Sequence, residues 1–181
     1  GDIVLFGSTG SLDFPVTPGA YQTALSPGFP TDITIYGVDT QSQGVDCFIT
    51  TISGADFTLQ SSTYFGGSGI DGINSANGLR ANFGDYYRGQ VDIGPDGSVW
   101  IATTTTSGLS LPGSPANAGG FDALVAGFSS DLSTLLCGRT IGGSNDDAAY
   151  SIEVAPDNSF GAFGNLEILV GGGTRSSNMP F

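Results

Sequence analysis

Two stretches of the chain share a glycine-rich sequence: residues 62–72 read STYFGGSGIDG, and residues 139–147 read RTIGGSNDD. In each, Gly-Gly-Ser follows an apolar residue and precedes an aspartate three places after the serine. The first glycines, Gly66 and Gly142, lie 76 residues apart. The same interval separates residues 46–49 (DCFI) from residues 122–125 (DALV). The sequences that precede Gly-Gly-Ser therefore recur together with it, which indicates an internal repeat.

A third segment recurs at less regular intervals. Residues 3–9 (IVLFGST) match residues 99–105 (VWIATTT) 96 positions later, and these match residues 168–174 (ILVGGGT) after a further 69. Similar segments with variable spacing indicate one repeated unit whose loops carry insertions.

These matches divide the chain into two repeats and the start of a third. We place the first repeat at residues 1–98, the second at 99–167 and the incomplete third at 168–181. The extra length of the first repeat falls in two loops, at 18–45 and 73–87. We expect both loops to lie outside the sheets, because loops absorb length changes that a strand ladder does not tolerate.

The apolar residues alternate with period two or form short runs, which predicts strands and not helices. Val, Ile, Thr, Phe and Tyr are frequent in these segments, and Gly, Pro, Asp, Asn or Ser ends them. Pro95-Asp96-Gly97 predicts a tight hairpin turn between two of the strands. Nine strands are predicted, at residues 3–8, 46–52, 60–65, 89–93, 99–105, 121–128, 134–141, 150–154 and 167–171.

The strand order predicts an all-β fold in which each repeat forms an antiparallel four-stranded blade of a β-propeller. The chain would supply about two blades plus one strand, and closed propellers have about four to eight blades. We therefore expect it to be part of a larger propeller, with further blades of the same chain or copies of itself as partners. Gly-Gly-Ser would recur because its glycines allow the same sharp turn in each blade.

Charge and composition exclude several functions. Seventeen acidic residues face four arginines and no lysine, which gives a net charge of −13 and makes nucleic acid and anionic lipid poor partners. Histidine is absent, so Ser-His-Asp and Cys-His nucleophile systems and His-based zinc sites lack their central residue. No run approaches 18 apolar residues, so no membrane-spanning helix is predicted.

Aspartates after the Gly-Gly-Ser sequences are candidate ligands for calcium. Asp71, Asp146 and Asp147 carry the oxygen ligands that calcium prefers. The other interpretation is structural: Asp71 and Asp147 would accept backbone N–H bonds and cap the turn. No spaced D-x-D-x-D-G loop is present, and both interpretations remain open.

Tyr86, Tyr87 and Arg88 are candidate partner-contact residues, because an inserted loop carries them and exposed tyrosines beside a charge suit contact with a sugar or a protein. The alternative is that the tyrosines support the loop from beneath. Trp100 lies in a strand pattern and is predicted to be a core residue. Cys47 and Cys137 occupy non-equivalent repeat positions, so they could be two free thiols or a disulfide between adjacent blades.

The order of these segments resembles the bacterial β-propeller repeat family known as SBBP. The residues that carry the resemblance are LDFPVTPGAYQ at 12–22, DCFITTIS at 46–53 and STYFGGSGID at 62–71, together with 91–105 and 121–129. A degenerate second copy covers 139–156. The second repeat departs from the family pattern at residues 109–112, where LSLP replaces the Phe-Pro sequence.

The resemblance implies a non-catalytic module of a secreted or cell-surface bacterial protein, located outside the cell. Such a module would be an adhesion or structural scaffold whose loops bind a polysaccharide or a surface protein. The alternative is a propeller-type polysaccharide hydrolase or lyase that uses carboxylate and tyrosine chemistry.

Overall fold

A computed structural model describes residues 1–26, 28, 34–35, 38–39, 44–75, 78–79, 83–106, 109–114, 116–156 and 166–180. This part of the chain is all-β, apart from one 3₁₀-helix at Phe83–Tyr87. The strands are β1 (Ile3–Thr9), β2 (Thr34–Ile35), β3 (Val38–Asp39), β4 (Asp46–Ile52), β5 (Leu59–Phe65), β6 (Gln90–Ile93), β7 (Val99–Thr105), β8 (Asp122–Phe128), β9 (Leu135–Ile141), β10 (Asp147–Pro156) and β11 (Leu166–Thr174).

All nine predicted strands are confirmed, and the structure adds the two-residue strands β2 and β3 within the loop at 18–45. The last two strands are longer than predicted. β10 begins at Asp147, inside what the sequence presented as a turn, and it contains a register shift between Ala149 and Ser151. A bulge of this kind breaks the period-two pattern, which explains the short prediction.

The strands form three larger antiparallel sheets and the small β2–β3 hairpin. Sheet 1 has the order β1-β4-β5, sheet 2 has the order β6-β7-β8-β9, and sheet 3 pairs β10 with β11. The predicted four-stranded sheet is confirmed for sheet 2. Among the described residues, sheets 1 and 3 have three strands and two strands, respectively.

The hairpin between β6 and β7 contains the predicted Pro95-Asp96-Gly97 turn. Gly97 has a φ of +83° and its N–H donates to the Gly94 carbonyl oxygen at 2.8 Å, while Asp96 Oδ1 accepts from Ser98 N at 3.0 Å. The boundary drawn between residues 98 and 99 from the sequence repeat falls just before β7, within this connection. Repeats and sheets are therefore out of phase by one strand.

Sheet 2 lies between the other two sheets and is buried on both faces. We call its front face the side of β7 and β8 that faces sheet 1, and its back face the side that faces sheet 3. Residues on the front face share a core cluster with Cys47, Ile49 and Phe65 of sheet 1; they are Val99, Ile101, Leu124, Ala126 and Phe128. Residues on the back face share a second cluster with sheet 3; they are Trp100, Ala102, Ala123 and Val125.

Aromatic side chains fill the contact between sheets 1 and 2. The rings of Phe65 and Phe128 meet edge to face with centroids 5.0 Å apart, and Tyr21 from the first loop contacts both. Complete burial of one such side chain contributes roughly 1.5–3 kcal/mol to folding. Trp100 is buried on the opposite face, where its indole N–H donates to Ser98 Oγ at 2.8 Å, so its predicted core position is confirmed.

Candidate functional site

Two equivalent sites bring buried aspartates together at the ends of strands. The first corner contains Asp46 at the start of β4, Gly66-Gly67 after β5, and Asp71. The second corner lies 76 residues later and contains Asp122 at the start of β8, Gly142-Gly143 after β9, and Asp147 at the start of β10. The four aspartates are at most 1% exposed, so each sheet carries carboxylates where solvent does not reach them.

In the first corner, the loop at 18–45 hydrogen-bonds one oxygen of Asp46. Oδ2 accepts from Gln22 Nε2 at 2.7 Å and from Ser26 N at 2.8 Å. The amide oxygen of Gln22 in turn accepts from Gly66 N at 3.0 Å. This part of the loop therefore belongs to the folded body, although it adds no strand to sheet 1.

Asp71 and Asp147 cap the Gly-Gly-Ser turn, as predicted. Asp71 Oδ2 accepts from Gly67 N at 2.8 Å, and Asp147 Oδ2 accepts from Gly143 N at 2.7 Å. Each bond closes a turn over four residues and satisfies a backbone donor that has left the strand ladder. The structural interpretation of these two aspartates is therefore confirmed.

The predicted reason for the glycines is wrong for Gly66 and Gly142, because neither has a positive φ. A Cβ atom on Gly66 would lie 2.4 Å from Asp46 Cγ, and a Cβ on Gly142 would lie 2.3 Å from Asp122 Oδ1. Both distances are far below van der Waals contact. The glycine recurs because an aspartate carboxylate lies directly against its Cα.

The second corner differs from the first in its hydrogen bonds. Asp122 Oδ2 accepts from Ala118 N at 2.9 Å, which replaces the glutamine of the first corner. Asp147 Oδ2 accepts a further bond from Ser176 Oγ at 2.8 Å. Thr174, which follows the matching strand β11, is exposed to solvent, whereas its counterpart Thr105 is fully buried.

One oxygen of each carboxylate has no hydrogen-bond partner. Oδ1 is buried and unpaired in Asp46, Asp71, Asp122 and Asp147. A buried polar atom without a partner costs free energy, and a buried charge costs more. The corners are thus electrostatically unfavourable unless something compensates these oxygens.

The pKa values reflect this environment. Burial raises the pKa of Asp71 to about 7; the Thr105 hydroxyl and the Gly67 N–H oppose the rise, and the charge of Asp46 adds to it. Burial also raises the pKa of Asp46 and of Asp122. In Asp147 burial acts in the same direction, but hydrogen bonds from Thr174, Gly143 and Ser176 together lower its pKa. The first corner is therefore the less compensated of the two.

The structure does not bring together the three residues predicted to bind calcium. Asp71 and Asp147 belong to different corners. Asp146 Oδ1 accepts from Phe121 N at 3.2 Å, and its Oδ2 lies 3.8 Å from an Arg175 guanidinium nitrogen. Within the described ranges, no group of three or more His, Cys, Asp or Glu side chains is placed to hold a metal ion.

The sequence analysis missed Asp46 and Asp122 as members of the site. Both appeared in it only as the first residues of two matching strands. Their separation of 76 residues equals that of Asp71 and Asp147, so the shared interval was the signal that could have paired them.

The predicted contact residues play different parts in the loop at 73–87. Tyr86 is half-buried against Val45, Ile70 and Ile73, and its carbonyl oxygen accepts from Asn74 N at 2.7 Å. This matches the supporting role left open by the sequence.

Tyr87 and Arg88 lie on the outside of the same loop. Tyr87 is 46% exposed. The Arg88 guanidinium lies 3.0 Å from Asp85 Oδ1 and 4.6 Å from the centre of the Tyr150 ring. Tyr87 with the exposed side of Arg88 is thus the part of the loop that a partner could reach.

Cys47 and Cys137 are free thiols, so the disulfide left open by the sequence does not form. Cys47 lies in the core between sheets 1 and 2, whereas Cys137 packs beside the core between sheets 2 and 3. The body of sheet 2 separates them.

No family model matches this chain, and no curated protein matches it in sequence. Among the described residues, no helix has the length and apolar character needed to cross a membrane.

Proposed function

We propose that this chain is a non-catalytic β-propeller module of a secreted or cell-surface bacterial protein, which serves as a scaffold for adhesion. One observation carries the proposal: the sheets stack face to face in the same orientation twice. The back of sheet 1 contacts the front of sheet 2, and the back of sheet 2 contacts the front of sheet 3. Repetition of one contact is how propeller blades and other repeat arrays are built.

The equivalence of the faces follows from the sequence matches. Val99 and Ile101, on the front of sheet 2, correspond to Ile3 and Leu5 of β1. Ile168 of β11 corresponds to Val99 and also points into the contact with the preceding sheet. One set of repeat positions therefore forms the front of all three sheets.

Stacking leaves one face of each outer sheet uncovered. On the front of sheet 1, Ile3 and Leu5 are 40% and 44% exposed, although the equivalent positions in sheet 2 are buried. On the back of sheet 3, Leu169 corresponds to Trp100 and is 50% exposed. These faces suit further sheets of the same kind, supplied by the same chain or by a second copy.

The assembly test uses the 181-residue chain in sedimentation experiments over a range of concentrations. We expect concentration-dependent association that Leu5→Lys weakens, because a charge on the front of sheet 1 would be buried in the contact. Leu136→Lys is the matched control, since Leu136 is 52% exposed on β9, away from both uncovered faces. A chain that stays monomeric and unfolds cooperatively at every concentration would contradict the stacking proposal.

The ligand of the scaffold would be a polysaccharide or a surface protein, bound through loops that include Tyr87 and Arg88. A glycan array tests the first class, with Tyr87→Ser as the variant expected to weaken binding. Aromatic side chains at an exposed loop provide contact area at low entropic cost, which favours this location.

A polysaccharide hydrolase or lyase is the second candidate. The raised pKa of Asp71 is a property of general acids, which is the observation that favours an enzyme. However, Asp71 and Asp46 are fully buried, and a general acid has to reach the bond it protonates. Turnover in a screen of glycosidase and lyase substrates would overturn the binding proposal.

A further inference from the structure

The first corner holds two carboxylates and a hydroxyl that the fold buries without partners. Asp46 Oδ1, Asp71 Oδ1 and Thr105 Oγ1 are buried and make no hydrogen bond. Thr105 ends β7 and forms an isolated antiparallel bridge with Asp71, which brings the hydroxyl beside that carboxylate. Three oxygens with available lone pairs therefore gather between sheets 1 and 2.

The protein supplies no positive charge to this corner. The chain has neither lysine nor histidine, and the other oxygens of the two carboxylates bind only amide N–H groups, from Gln22, Ser26 and Gly67. Two carboxylates close together in a buried site cannot both stay ionised without compensation. A partner that carries positive charge and accepts several lone pairs at once would satisfy all three oxygens.

We propose that the first corner binds a divalent cation of the calcium type through Asp46 Oδ1, Asp71 Oδ1 and Thr105 Oγ1. Calcium prefers carboxylate, hydroxyl and carbonyl oxygens and takes about six to eight of them, so backbone carbonyls and water would complete its shell. A single proton shared between the aspartates would neutralise one charge but would leave the second charge and the Thr105 hydroxyl uncompensated.

The second corner serves as an internal comparison. Asp147 Oδ2 binds both Gly143 N and the Ser176 hydroxyl, and Thr174 is exposed to solvent. The hydroxyl that is buried and unpaired in the first corner is therefore hydrated in the second. We assign the cation to the first corner alone, and this assignment does not depend on the proposed scaffold function.

The experiment is calorimetric titration of Ca²⁺ into the full chain after removal of metal with EDTA. We expect one saturable site per chain and an unfolding temperature that rises with Ca²⁺, as linkage requires of a ligand that binds only the folded state. Asp71→Asn should weaken the association constant at least about tenfold, which corresponds to about 1.4 kcal/mol. Thr105→Val, which keeps the side-chain shape, should weaken it as well.

Two controls accompany these variants. Asp147→Asn makes the same change in the second corner, and Asp131→Asn removes one exposed charge from a turn. Both should bind Ca²⁺ as the unmodified chain does. If Asp71→Asn does not fold, Thr105→Val against Asp147→Asn decides the question.

Three results would overturn the proposal. The first is the absence of saturable heat and of any change in unfolding temperature at millimolar Ca²⁺. The second is equal weakening by the Thr105 and Asp147 variants. The third is stabilisation of the EDTA-treated chain by Asp71→Asn without Ca²⁺ binding to the unmodified chain, which would indicate a shared proton.

Discussion

Asp46 and Asp122 hold the same position in successive sheets, and each presses its carboxylate against the glycine that follows the neighbouring strand. The glycine atoms that meet them belong to Gly66 and Gly142. An interaction that recurs with the same geometry in two repeats is a structural requirement of the repeat, and it leads to the first prediction.

Gly66→Ala should destabilise the protein by about 1–3 kcal/mol, because the new Cβ overlaps the Asp46 carboxylate and the core has no room to relax. Chemical denaturation measures the loss. Gly171→Ala is the control: it lies in exposed β11, and the nearest atom to a new Cβ is the Ser151 hydroxyl, which can rotate away. Equal stability of the Gly66 variant and the unmodified chain would contradict the close approach.

Tyr64→Phe should cost about 1–3 kcal/mol, because Tyr64 links β5 to the segment after β1. Its hydroxyl accepts from Phe14 N at 3.0 Å and donates to the Ser11 carbonyl oxygen at 2.8 Å. The Phe14 ring packs on Tyr64 and on Phe48, so this segment covers part of the front of sheet 1. Amide hydrogen exchange should become faster at Phe14, while exchange in β7 stays unchanged; an unaltered Phe14 would rule the link out.

The two thiols should differ sharply in reactivity toward iodoacetamide. Burial raises the pKa of the Cys47 thiol well above its usual value, and the charges of Asp71 and Asp46 raise it further. Cys137 is half-buried, and its pKa is raised by burial and lowered by Arg139. At pH 8 we therefore expect mass spectrometry to find Cys137 alkylated first. Cys137→Ser should remove the early product, and early labelling of Cys47 would contradict its position in the core.

Deletion of residues 29–43 should leave the folded body intact. Gly28 and Gly44 already meet: a Cβ on Gly28 would lie 3.2 Å from the Gly44 Cα, so the two can be joined with little rearrangement. A longer deletion of residues 23–44 should destabilise the protein, because it removes buried Leu25 and the Ser26 N–H that binds Asp46. Circular dichroism and thermal unfolding compare the two deletions; equal loss would mean that the whole loop supports the core.

The strands could be predicted because their signal is local. Alternation in β4 and β7, together with the Pro95-Asp96-Gly97 turn, is written in consecutive residues. The Asp46–Gly66 contact could not be predicted in the same way, because it joins the start of one strand to the end of the next. Glycine at that position has several physical explanations, and only the distance to the carboxylate distinguishes them.

The candidate site was predicted in part for the same reason. Turn capping by Asp71 and Asp147 follows from the four-residue spacing to Gly67 and Gly143, so it could be read from the sequence. The involvement of Thr105 depends on a bridge between segments 34 residues apart in the chain. No pattern in the sequence marks that bridge.

The one-strand offset between repeats and sheets has a mechanical consequence. β6 belongs to the first sequence repeat, yet it is hydrogen-bonded to β7 of the second. β10 of the second repeat likewise pairs with β11, which belongs to the third. Neighbouring repeats are thus interlocked like overlapping tiles, and a force that pulls them apart has to break a strand ladder as well as a packed interface. A chain cut at a repeat boundary would lose an edge strand from the adjoining sheet, whereas duplication of a whole repeat would lengthen the stack without leaving a seam.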